Sequence, residues 1–291
     1  MNPAAAGFYA LKAAGTRARS AAWFARTGGR LDIAGLRILF YHRVAAGRDE
    51  LAVSPRSFSQ QMDFLASQSY NVVDVVEAVD LLRNGSLRAR TVGLSFDDGY
   101  LDVAEHALPV LAGHGFRATV FVAPAVVDGS AWIDGYRRDR HPPILDWDDI
   151  GELDRDGTLR FEAHSLTHPN LTALDEHVAR HEIGRSKSAL EDRLGRPVEA
   201  FAYPSGLFGE RERRLVDEAG YRVAVSCEPG VNWPETDRLA LRRRQIDARD
   251  SLLDFRAKVG GGHDSPPPLR DAYRRRRYRV STGSPFRVSS R

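Results

Sequence analysis

A chain of 291 residues with 42% hydrophobic and 28% charged residues can fill a sizeable core, which excludes the disordered and fibrous classes. The formal charge of +3 is unevenly spread: residues 1–31 hold five cations and no acid, residues 270–291 hold eight arginines against Asp271, and the stretch between is net acidic. An acidic body lacks the basic stripe of a folded nucleic-acid-binding domain, and the single cysteine, Cys227, excludes an internal disulfide or a cysteine-based zinc cluster.

In chain order, the segment 8–24 reads as a basic amphipathic helix with Phe8, Leu11, Trp23 and Phe24 as its apolar members. It suits peripheral contact with an anionic membrane surface as well as packing on the body. Nothing approaches the roughly 20 apolar residues of a spanning helix. The apolar run 4–11 is short and has no leading cation, so it is not expected to be a signal peptide, and the compartment stays open. From residue 36 short apolar runs alternate with helical patterns. Strands are predicted at 36–41, 71–75, 91–96, 117–122, 159–163, 198–203, 221–226 and 241–246. Between them lie helices opened by Ser54-Pro55 and Asp146, a long one over 175–194 closed by Gly195, one closed by Gly220, and one over 251–259. Strands alternating with helices predict an α/β fold with parallel pairing. The arginine-rich stretch after residue 262, opened by a Pro-rich run, reads as a tail.

Three clusters fall just past predicted strands, where side chains from distant segments of parallel α/β folds converge. The first is Ser95-Phe-Asp-Asp-Gly99; two adjacent carboxylates repel unless a cation or proton intervenes. The second is Glu162-Ala-His164-Ser-Leu-Thr-His168; two imidazoles four residues apart after a strand can share one ion. Together they supply two nitrogens and a carboxylate with open positions, a set suited to metal-assisted hydrolysis. The third, Phe201-Ala-Tyr203-Pro-Ser205-Gly206, runs a strand into a turn whose backbone amides suit an oxyanion. Cys227, in an apolar run, reads as a buried bystander.

The segments Leu94-Ser-Phe-Asp-Asp-Gly-Tyr100, His164-Ser-Leu-Thr-His-Pro169 and Phe201-Ala-Tyr-Pro-Ser-Gly206, in that order, resemble the metal-dependent polysaccharide deacetylases (NodB-homology carbohydrate esterases). The opening Leu39-Phe-Tyr-His-Arg-Val44 and the closing Asp254-Phe-Arg-Ala-Lys-Val259 are most similar to the exopolysaccharide and poly-N-acetylglucosamine branch. The resemblance implies a distorted (β/α) barrel of about seven parallel strands over residues 36–262, flanked by a basic helical extension over 1–35 and an arginine-rich tail over 263–291. It implies Asp97 as catalytic base, Asp98, His164 and His168 as ligands of a divalent metal, usually Zn²⁺, and an acetylated glycan as substrate. The implied reaction removes acetyl groups, foremost N-acetyl; an O-acetyl esterase and an inactive glycan-binding member are the alternatives.

Two departures shift roles elsewhere. Ala202 stands where many relatives carry the arginine that orients the catalytic aspartate, and Ser205 where they carry a tyrosine. The partner of Asp97 is therefore sought among Arg242, Arg243 and Arg43, with Arg242 or Arg243 preferred. No C-terminal Leu-x-His appears, His263 is a poor substitute, and His42, at the end of the first strand, is placed in the active site as proton donor. Ser205 and Tyr203 are assigned to the oxyanion and substrate side. Trp147 is read either as a sugar-stacking wall or as an aromatic capping the barrel.

Overall fold

A computed structural model describes residues 3–31, 34–47, 49–133 and 141–265, without the side chains of residues 3–12. Most of the predicted tail thus lies outside the described residues. The strands are β1 (Arg37–Tyr41), β2 (Arg43–Val44), β3 (Ala52–Val53), β4 (Asn71–Val73), β5 (Thr91–Asp97), β6 (Ala118–Val122), β7 (Leu159–Ala163), β8 (Ala200–Ala202), β9 (Val223–Val225) and β10 (Arg244–Gln245). The main sheet runs β10-β1-β5-β6-β7-β8-β9, all parallel. Below β6, the lower half of β5 pairs instead with β4, from Asn71 opposite Thr91 to Val73 opposite Gly93. Leu241 bridges Val225 of β9, and three residues on Arg244 pairs with Leu39 of β1. One segment thereby links the two ends of the curled sheet, in keeping with the distorted barrel that the resemblance implied.

The sheet strands are almost wholly buried, as expected when helices cover their outer face. Those helices are α1 (Pro3–Thr27), α2 (Pro55–Ser67), α3 (Val75–Arg83), α4 (Leu108–His114), α5 (Pro124–Val127), α6 (Trp147–Asp156), α7 (Glu176–Leu194), α8 (Glu210–Glu218) and α9 (Leu252–Val259). Their starts follow local chemistry. Ser54 caps α2 through the Ser57 amide, Asp74 caps α3 through Glu77, and Asp146 with Asp149 forms a capping box on α6. The cap at Asp74 also ends β4 at Val73, two residues short of the predicted strand end.

The stretch after β5, where Val103, Ala107 and Leu111 share a helical spacing, opens as a π-turn, Val103–Ala107, in which the Leu108 amide donates back to the Val103 carbonyl. Pro109 explains it: proline has no amide for the Glu105 carbonyl and its ring crowds that residue, so the chain inserts a wider turn first. Among the described residues no helix is long and apolar enough to cross a membrane.

α1 packs on α9 rather than standing away from the body. Trp23 is buried against the backbone at Gly260 and Gly262, where an added Cβ would fall 2.2 Å and 2.7 Å from the indole. The buried Ser20 hydroxyl lies 2.7 Å from Asp254 Oδ1 and 3.0 Å from His263 Nε2. His263 and Asp264, at the start of the predicted tail, belong to this junction: Asp264 pairs with Arg37 at 2.6 Å.

Candidate active site

The three sequence clusters meet at the carboxyl ends of β5, β7 and β8. β5 ends at Asp97, and Asp98 turns the chain with a left-handed φ of 77°. His164 follows β7 directly, and His168 lies four residues on with φ 61°. Asp98 Oδ1 stands 3.7 Å from His164 Nε2 and 3.6 Å from His168 Nε2, and the three potential ligand atoms all lie within 4.8 Å of one another. Zinc bonds of about 2.0–2.1 Å in tetrahedral array separate neighbouring donors by roughly 3.4 Å. The spacing therefore fits one ion.

The electrostatics fit as well. Asp98 Oδ1 is buried and accepts no hydrogen bond. Burial, opposed by the His42 charge and reinforced by Asp97, pushes the Asp98 carboxyl up to about 6. A cation at the spot the imidazoles face would satisfy such a buried oxygen. His164 Nδ1 is 2.7 Å from the Ala202 carbonyl. A carbonyl only accepts, so Nδ1 carries the proton and Nε2 presents its lone pair to Asp98. Burial, with His168 beside it, pushes His164 down to about 3, which keeps the ring neutral.

Asp97 has the opposite setting. Burial opposes its charge, but the Arg243 guanidinium brings its carboxyl down to about 2. Arg243 NH1 donates to Asp97 Oδ1 at 2.7 Å and NH2 to Oδ2 at 2.9 Å, a bidentate pair in the buried interior. The fork is itself held: Nε donates to the Ser226 carbonyl at 3.0 Å, NH1 to Ser95 Oγ at 3.1 Å, and the Phe40 ring lies 4.3 Å from Cζ. Of the three arginines considered, Arg243 is thus the partner. Arg242 is exposed and packs against Gly230. Arg43 is engaged by Asp102 at 2.8 Å and Asp49 at 2.7 Å, which holds β2 to the π-turn.

The remaining expected residues separate. His42 follows β1, and its electrostatic influence reaches both Asp97 and Asp98; its Nδ1 is buried without a hydrogen-bond partner. Ser205 sits in the turn after β8 with φ 55°. The next residue is pinned, because a Cβ on Gly206 would lie 2.4 Å from the Cys227 amide nitrogen. Cys227 is not the buried bystander expected: it is half-buried beneath that turn, in hydrogen-bonding contact with Arg243. Tyr203 does not face a substrate. It is fully buried, stacks on Phe208, and donates its hydroxyl to the Leu239 carbonyl at 2.9 Å, so it supports the turn. Trp147 donates to Asp128 at 2.7 Å and lies 5.0 Å beneath the Arg193 guanidinium, which makes it the capping aromatic and not an open wall.

Two contributors escaped the sequence reading. Ser95 lies two residues before Asp97 and so on the same face of β5, a signal that period-two alternation carries. Glu182, on the buried stripe of α7, faces the loop between the histidines; an acid among Ala179, Ile183, Ser186 and Leu190 was the available signal.

Residues 84–224 match the family model described as polysaccharide deacetylase. The poly-beta-1,6-N-acetyl-D-glucosamine N-deacetylase of Staphylococcus aureus strain MRSA252 is 22% identical over 212 residues, covering 69% of this chain and 71% of its own. Among solved structures, the deacetylase PplD of Streptococcus pyogenes superposes with a TM-score of 0.69 at 24% identity over 78% of this chain and 98% of its own. IcaB from Ammonifex degensii does so with 0.66 at 25% identity over 79% and 98%. The matched segment holds the paired aspartates, both histidines and the turn beyond β8, and residues 84–224 are a polysaccharide deacetylase domain.

Proposed function

We propose that the protein is a divalent-metal-dependent hydrolase that removes N-acetyl groups from N-acetylhexosamine units of a polysaccharide or lipid-linked glycan. The observation that carries this reading is the buried, unbonded Asp98 oxygen 3.6–3.7 Å from two imidazole nitrogens. Asp98, His164 and His168 would hold the ion, and two nitrogens with one carboxylate favour zinc. Such an ion supplies Lewis acidity to an acyl carbonyl and lowers the pKa of water. The relative named as a poly-beta-1,6-N-acetyl-D-glucosamine N-deacetylase supports an amide of N-acetylglucosamine as the bond cleaved.

The chain's own residues then divide the proton work. Asp97, held ionised by Arg243, accepts a proton from the attacking water. His42, on the neighbouring strand end, delivers one to the departing amine nitrogen. The left-handed turn at Ser205 presents backbone to the developing oxyanion. An aspartate with so low a pKa is a weak base, which suits a site whose ion would itself acidify the water.

The test is acetate and free-amine release from N-acetylglucosamine oligomers by zinc-loaded protein, with and without EDTA, alongside Asp98→Ala and Asp97→Asn. Release by the wild type and its loss in the other three cases are expected. Release that survives both EDTA and Asp98→Ala rejects the metal mechanism.

A further inference from the structure

The loop 164–168 supplies both imidazoles of the proposed cation site, and Ser165 and His168 within it have left-handed φ of 60° and 61°. Side chains rarely rest there unless their surroundings dictate it. The surroundings are unusually specific. Glu182 of α7, only 7% exposed, accepts the Leu166 amide at 3.0 Å and the Thr167 amide at 2.8 Å through Oε2, and the Thr167 hydroxyl at 2.7 Å through Oε1. From the other side the Ala125 amide donates to the Leu166 carbonyl at 3.0 Å, and the His168 amide donates to Ser165 Oγ at 3.1 Å. The Ser165–Leu166 and Leu166–Thr167 peptides, between the two histidines, are therefore clamped to a long helix by one carboxylate.

Among the described residues no cation pairs with Glu182, so its charge is met by those three donors alone. Burying a carboxylate this way is costly unless all its partners are in place. A glutamine there could keep both amides on its oxygen and turn its N–H to the Thr167 hydroxyl, which can also accept, so it would remove the charge but not the clamp; leucine or alanine removes the clamp. We propose that Glu182 is a positioning residue for the cation site, acting through the Leu166 and Thr167 peptides to hold His168 Nε2 opposite Asp98 and His164. This rests on the metal-dependent reading above. It adds a residue 14 positions beyond the second histidine, on a helix that contributes no ligand.

The test is zinc affinity of the full chain, stripped of metal, measured at 25 °C by competition with a chromogenic chelator. The variants are Glu182→Leu, Glu182→Ala and Thr167→Val, the last removing only the hydroxyl contact. Glu191→Gln serves as control, because Glu191 lies on the same helix and accepts the Val198 amide at 3.0 Å. Circular dichroism confirms that each protein is folded at the working temperature, and if Glu182→Ala does not fold, the other two variants decide. Zinc binding weakened about 10- to 100-fold in the Glu182 variants, less in Thr167→Val and unchanged in Glu191→Gln supports the positioning role. Folded Glu182→Leu and Thr167→Val with wild-type zinc affinity, or an equal loss in Glu191→Gln, overturn it while leaving the metal reading intact. Failure of the wild type to bind zinc removes both.

Discussion

Four of the six non-glycine residues with left-handed φ among the described residues lie in the site motifs: Asp98, Ser165, His168 and Ser205. Strained torsions at strand ends aim these groups across the barrel mouth rather than along the strands. Their identities were legible as motifs; their torsions were not, because φ is imposed by the contacts that Glu182, Cys227 and Ala202 make across the fold. The same limit applied to the arginines. Three in a row cannot be told apart by composition, and what singles out Arg243 is the register that bridges Leu241 to Val225 and pairs Arg244 with Leu39. Replacing Arg243 by methionine leaves a buried carboxylate without its partner. A loss of about 3–5 kcal/mol in urea unfolding is expected, together with loss of activity. Arg243→Lys keeps a charge but not the two-pronged bond, so it should unfold closer to wild type yet remain catalytically impaired.

Capping and periodicity made most elements readable. Ser54 and Asp146 open helices where their side chains predict, whereas Asp74, read as part of a strand, caps α3; the stripe Ala179, Ile183, Ser186 and Leu190 is buried as its spacing requires. Asp146→Ala should cost about 1 kcal/mol, seen as a lowered thermal midpoint, with kcat/KM for the deacetylation unchanged, because the box holds α6 and no site residue. The misses came where tertiary contacts cut an element short. The strand predicted over 241–246 persists only at Arg244–Gln245, because its start is given to a single bridge with β9 and its long side chain to Asp97. Trp147 shows the same dependence: only the positions of Asp128 and Arg193 decide that its face is covered.

At the scale of the molecule, two equilibria should be visible. Zinc that binds only the folded chain stabilises it by about 2.7 kcal/mol at one hundred times its dissociation constant; EDTA should lower the melting temperature of wild type but not of Asp98→Ala. The seam between α1 and α9 should respond to acid. Burial, with Lys258, Arg244 and Arg19 nearby and only Asp254 opposing, pushes His263 down to about 3 from an ordinary 6.5. A histidine depressed on folding contributes stability that is full above pH about 6.5 and declines as pH falls toward 3. Trp23 fluorescence should therefore report loosening of α1 over that range, and His263→Gln should flatten the response. A different consequence follows from the Asp97–Arg243 pair, whose members stand 146 residues apart. During synthesis Asp97 emerges long before the arginine that neutralises it. The pair cannot close until residue 243 has been made, so the last strand of the sheet completes the centre of the barrel.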